Sequence, residues 1–166
     1  MNFKKIKSNR NHSIYCGPAA CSVITGKSIE CVESYINWRR GHRTDRIVRG
    51  AWPEELQYAL SKLGYVCTMT DRYDKIYRPT LAAWLRERDD RSQLVIIHLT
   101  NHYVVVKGNK LIDNHTIHPV SIKDAPHGRC KVYAVYQLAE LPSKVAGKIR
   151  RKRSDVFVHE NHTVPM

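Results

Sequence analysis

No stretch of about 18 apolar residues occurs in the sequence, so no segment of it has the length to cross a membrane as a helix. Nor does an apolar run of about 7–15 residues follow the basic start at Lys4, Lys5 and Lys7, so no secretory signal is expected. The five cysteines (Cys16, Cys21, Cys31, Cys67 and Cys130) are odd in number, include no Cys-x-x-Cys pair and match no zinc-type spacing. That excludes a disulfide framework as the organising feature and points to a reducing, cytoplasmic setting with one functional thiol. No internal repeat is visible, and the basic run Lys148-Ile149-Arg150-Arg151-Lys152-Arg153 is the single low-complexity piece.

Acid is also scarce. Among 166 residues, 15 Asp and Glu face 28 Lys and Arg, a net charge of +13. Such an excess suggests nucleic acid or an acidic protein surface as a partner, and says nothing about fold. Its placement is uneven. Residues 1–10, 39–50 and 143–166 each carry +4, which leaves about +1 for everything else. The chain therefore reads as a basic N-terminal arm (1–10), one nearly neutral domain (11–142) and a basic C-terminal tail (143–166), a size at which one domain buries one core. The tail residues Arg150, Arg151, Lys152 and Arg153 are the expected contacts to phosphates or a partner, with an affinity that would fall steeply with salt.

Periodicity divides the domain into helices first and strands later. Cys16-Gly17-Pro18 opens a helix that Gly26 stops, because proline suits a first helical turn and glycine a C-terminal cap. Further helices are predicted from about Ser28 to Trp38, from Trp52 to Leu63 and from Pro79 to Arg88. Strands are predicted at Tyr65–Thr70, Leu94–Leu99, His102–Lys107, Lys110–Asp113 and Val132–Leu138, with Gly108-Asn109 as a tight hairpin loop. The expected class is α+β with an antiparallel sheet.

If Gly108 and Asn109 form the loop, Lys107 faces Lys110, Val106 faces Leu111, Val105 faces Ile112 and Val104 faces Asp113. Side chains alternate along a strand, so His102 and Asp113 become diagonal neighbours on one face. A carboxylate so placed orients the imidazole, expected here through Nδ1 with Nε2 left as the base. Cys16 at a helix N-terminus supplies the other half, since the helix dipole and a nearby imidazolium favour the thiolate. Cys16, His102 and Asp113 thus form a candidate nucleophile, base and orienter. Cys21, Cys31, Cys67, Cys130 and His98 read as core or incidental residues, and Trp38, Trp52 and Trp84 as core or groove-lining. Asp113, His115 and His118 lie close in sequence but follow no established ligand spacing, so no metal and no cofactor is expected.

Cys16-Gly17-Pro18-Ala19-Ala20, Pro53-Glu54-Glu55-Leu56 through Gly64-Tyr65, and His102 through Gly108 followed by Ile112-Asp113 together resemble the papain-like cysteine peptidases of the double-glycine leader (bacteriocin-processing) type, over roughly residues 9–138. The resemblance implies a papain-like fold, with N-terminal helices packed on a C-terminal antiparallel sheet. It also implies a cysteine peptidase acting on a polypeptide substrate through Cys16, His102 and Asp113. The family's oxyanion Gln corresponds to Arg10, flanked by Asn9 and Asn11, which makes Asn11 the expected amide donor beside the Cys16 backbone N–H. Asp113 is followed by Asn114 where the family often has Pro. The alternative reading is a catalytically silent papain-like scaffold, structural or binding, whose basic tails contact nucleic acid or neighbouring subunits. A virus particle would be such a setting, and a small chain with basic ends would suit a phage-encoded protein.

Overall fold

The computed structural model describes residues 1–8, 14–116 and 118–142. The first three helices are α1 (Cys16–Thr25), α2 (Ile29–Arg39) and α3 (Pro53–Lys62); strand β1 (Tyr65–Arg72) and helix α4 (Leu81–Glu87) follow. Strands β2 (Val95–Leu99), β3 (His102–Lys107), β4 (Lys110–Ile112), β5 (Val120–Ser121) and β6 (Val132–Glu140) complete the molecule, with one 3-10 turn over Ile122–Asp124. The fold is α+β, with six strands in a single antiparallel sheet of order β1-β6-β2-β3-β4-β5.

The helix boundaries follow local chemistry. Gly26 takes φ 71° and its N–H closes on the Ser22 carbonyl, a left-handed cap that any Cβ would strain. The Ser28 side chain accepts the Cys31 N–H at the start of α2, and Thr80 does the same for Ala83 at the start of α4. Pro53 occupies the first turn of α3, where its missing N–H costs nothing.

Both sheet faces are covered, which explains the unbroken apolar runs of β2 and β3. On one face Ile96, Tyr103, Val105, Ile112, Ala134 and Tyr136 pack with Ala20, Val23, Ile24, Val32, Ile36 and Leu60 of helices α1–α3. On the other, Val95, Ile97, Val104, Val106 and Leu111 pack with Leu81 and Leu85 of α4. The expectation of N-terminal helices on a sheet therefore needs one amendment: α4 lies on the opposite face, because Leu81 and Leu85 match the even side of β3 rather than its odd side. β5 and the 3-10 turn escaped prediction, since a two-residue strand carries no periodicity.

Residues 1–8 of the expected basic arm lie against the domain. The Lys4 N–H donates to the Val23 carbonyl at 2.8 Å, the Ile29 N–H to the Lys7 carbonyl at 2.8 Å, and Ile6 is buried in the core. Alternation explains this: Ile6 points inward while Lys5 and Lys7 face solvent. The tail from 143 onward, with Arg150, Arg151, Lys152 and Arg153, lies outside the described residues. No helix among the described residues is long and apolar enough to cross a membrane.

Candidate active site

The hairpin positions the first pair. Gly108 has φ 57°, the first-position requirement of a II′ turn, and the ladder runs Lys107–Lys110, Val106–Leu111, Val105–Ile112. Beyond Ile112 the strands separate, and Asp113 turns its carboxylate to His102 at the start of β3, with Nε2 to Oδ2 at 2.9 Å. The carboxylate faces Nε2 and not the expected Nδ1. The diagonal placement across the strand ends brings the far edge of the ring to Asp113, so Nδ1 is the nitrogen left for the thiol.

Asp113 is held on its other side by its own turn. Oδ1 accepts the backbone N–H of His115 at 2.9 Å and of Thr116 at 2.8 Å, while the Thr116 hydroxyl accepts the Asp113 N–H at 3.1 Å. This Asx-type turn is readable in the Asp113-Asn114-His115-Thr116 string. The Asp113 side chain has no solvent exposure. Burial raises its carboxyl, but the His102 hydrogen bond and the two N–H donors outweigh it and hold the group well below the usual carboxylate range.

Cys16 is the first residue of α1, with Tyr15 extended before it. The His102 ring and the backbone N–H groups of Tyr103 and Gly17 lie close enough to its sulfur to act on the thiol's titration. Burial raises the thiol; the His102 hydrogen bond, the Tyr103 N–H and the His102 charge carry it below its ordinary value. Burial lowers the His102 imidazole, whereas the hydrogen bonds to Asp113 and Cys16 raise it, with a net rise to about 9. Both shifts act in the direction of a thiolate–imidazolium pair. Cys67, by contrast, is pushed up to about 12 by burial, and Cys21 is raised as well. All five cysteines are free thiols.

Two further strands of chain frame Cys16. Asn114 donates its amide to the Ile14 carbonyl at 2.9 Å, which ties the Asp113 turn to the segment leading into Cys16. Ala51 lies against Gly17 so closely that a Cβ at position 17 would sit 3.1 Å from the Ala51 Cβ, and Tyr103 Oη donates to the Ala51 carbonyl at 3.2 Å. The Arg39–Arg49 segment reaches this point from α2. It is anchored by Asn37 Nδ2 on the Arg46 carbonyl, Glu33 on the Val48 N–H, and Arg40, which grips Glu55 at 2.6 and 2.7 Å and the Gly50 carbonyl at 2.6 Å. Trp52, next in sequence, is 72% exposed and Trp38 is 59% exposed, so neither is the core residue its type suggests.

Asn11 lies outside the described residues. His98 is stacked on Tyr103 with ring centroids 4.5 Å apart, and burial lowers its pKa, as suits a neutral packed imidazole. Around Asp113 the sequence reasoning missed His127, whose Nε2 lies 3.0 Å from Asp113 Oδ2, and Asn114. His127 arrives from a turn 14 residues beyond Asp113, and no local spacing signals that. His102, His115 and His127 form the one group of three metal-capable side chains among the described residues; His118 is not part of it. No known protein family and no curated protein matches the sequence.

Proposed function

We propose that the protein is a papain-like cysteine peptidase, acting by thiol-dependent hydrolysis of amide bonds in a polypeptide substrate. One observation carries the reading: Cys16, at a helix N-terminus, has its thiol lowered by the neighbouring His102, whose Nε2 rests on a carboxylate sealed from solvent. The helices on one sheet face, and a nucleophile that opens the first of them, are consistent with the papain-like fold that the sequence resemblance implies. Five free thiols suit a reducing compartment, the cytoplasm or the interior of a virus particle.

In this reading the Cys16 thiolate attacks the substrate carbonyl carbon, and the C=O electron pair moves to oxygen. The oxyanion faces the N-terminal N–H groups of α1, and Asn11 is the proposed amide donor beside them. The tetrahedral intermediate collapses by breaking the C–N bond, and the His102 Nδ1–H gives its proton to the departing amine. His102 then takes a proton from water, which attacks the thioester. Collapse breaks the C–S bond, releases the acid and returns the thiolate beside the His102 imidazolium. Asp113 stays ionised throughout and steadies the imidazolium. The basic run at Arg150, Arg151, Lys152 and Arg153 is proposed to anchor the enzyme on phosphates or an acidic surface.

The experiment is incubation of wild type and Cys16→Ala with a diverse peptide library, read by mass spectrometry, alongside trapping with a peptidyl vinyl sulfone. New cleavage products and a Cys16 adduct in wild type alone are expected. A folded wild type that neither cleaves nor is labelled would overturn the enzyme reading and leave the silent scaffold.

A further inference from the structure

Three imidazoles meet beside Asp113, and the thiol chemistry uses only one of them. His102 opens β3, His115 sits in the turn after Asp113, and His127 comes from the turn that precedes β6. Each offers a ring nitrogen, and the three nitrogens lie within 4.8 Å of one another. Ring centroids are 4.3 Å apart for His102 and His127, 5.4 Å for His102 and His115, and 5.7 Å for His115 and His127.

His127 Nε2 is closed to solvent and has no hydrogen-bond partner. It lies 3.0 Å from Asp113 Oδ2, but without the alignment of a hydrogen bond, and that oxygen already holds His102. A buried ring nitrogen without an aligned hydrogen bond in a native fold calls for an explanation.

We propose that His102, His115 and His127 bind one divalent first-row transition-metal ion of the zinc type, with Asp113 Oδ2 as the fourth donor. Neutral imidazole selects zinc, copper and nickel over magnesium and calcium. Zinc–nitrogen bonds of about 2.0–2.1 Å in a tetrahedron require donors about 3.3 Å apart. Asp113 Oδ2, at 2.9 and 3.0 Å from the Nε2 atoms of His102 and His127, already stands near that spacing. The remaining closure falls to His115, whose side chain is exposed and sits in a turn. A metal held here occupies the ring that faces Cys16 and the carboxylate that orients it. Resting on the function proposed above, the site would then be a reversible block on the thiol chemistry.

The test is titration of Co²⁺ into the full-length protein, read by its tetrahedral d–d absorption between about 500 and 650 nm, with Zn²⁺ as competitor. One equivalent should bind and be displaced by zinc. His115→Ala and His127→Ala should each weaken binding by at least about 10-fold, the lower bound for losing even an outer-shell partner, with unchanged far-UV circular dichroism. Cys16→Ser should bind as wild type does. No saturable signal, unchanged affinity in both histidine variants, or loss of binding in Cys16→Ser, which would place the ion on the thiol, each overturns the proposal. Metal affinity is read without any turnover, so a protein that binds cobalt but cleaves no peptide refutes the peptidase alone.

Discussion

The Asn114 amide donates to the Ile14 carbonyl at 2.9 Å, and this bond joins the turn that carries Asp113 to the segment that delivers Cys16. Cys16 and Asp113 belong to chain regions about a hundred residues apart, so their registry depends on such ties. Asn114→Ala should lower stability by about 1 kcal/mol, the worth of one hydrogen bond, or about 2–4 °C in Tm for a domain of this size. In the proposed enzyme kcat should fall more than KM rises, as checked by thermal unfolding beside steady-state kinetics.

Replacing the carboxylate keeps the shape and removes the charge. Asp113→Asn should return the His102 pKa toward its ordinary 6.5 from about 9 and reduce kcat by roughly 10²–10⁴. NMR titration of the His102 ring protons reads the first effect and single-turnover kinetics the second.

Stability should depend on pH through the same pair, with opposite signs at its two ends. His102 is raised in the folded state, so its contribution is complete below about pH 6.5 and is lost as pH rises through about 9. Asp113 is depressed, so its contribution is present above about pH 4, the ordinary Asp value, and is lost as pH falls toward the folded value. The pair therefore stabilises most between about pH 4 and 6.5. The Tm difference between wild type and His102→Ala should peak in that window and shrink on both sides.

Arg40 and Glu55 pin the Gly50–Trp52 passage beside the start of α1; Glu55 is buried and Arg40 half-buried. Arg40→Met leaves a buried carboxylate without its guanidinium, and should cost about 1.5–3 kcal/mol. Adding Glu55→Gln should recover part of that loss. A double-mutant cycle by denaturant unfolding gives the coupling.

The His102–Asp113 pairing is legible in the sequence because the Gly108-Asn109 turn fixes the register of the strands on either side of it, and register determines which side chains share a face. Cys16 at a helix start is legible for a similar reason, since Pro18 and Gly26 bracket α1 with opposite preferences. What escapes is non-local. His127 reaches Asp113 from the turn after the 3-10 segment, and α4 chooses its face by matching the even side of β3; neither is written in any short spacing. The ring edge presented to Asp113 depends on how far the strands splay after Ile112, a detail below the resolution of pattern reading.

In the proposed enzyme His102 holds the Cys16 thiol below its ordinary range, as a thiolate. The direct measurement is the iodoacetamide alkylation rate of the Cys16 peptide, followed by mass spectrometry from pH 4 to pH 10 in wild type and His102→Ala. Wild type should label rapidly well below pH 8.5, the ordinary thiol value, and His102→Ala should move the midpoint up to about 8.5 or higher. Equal, slow labelling of both proteins, rising only near that ordinary value, would mean that His102 does not activate Cys16.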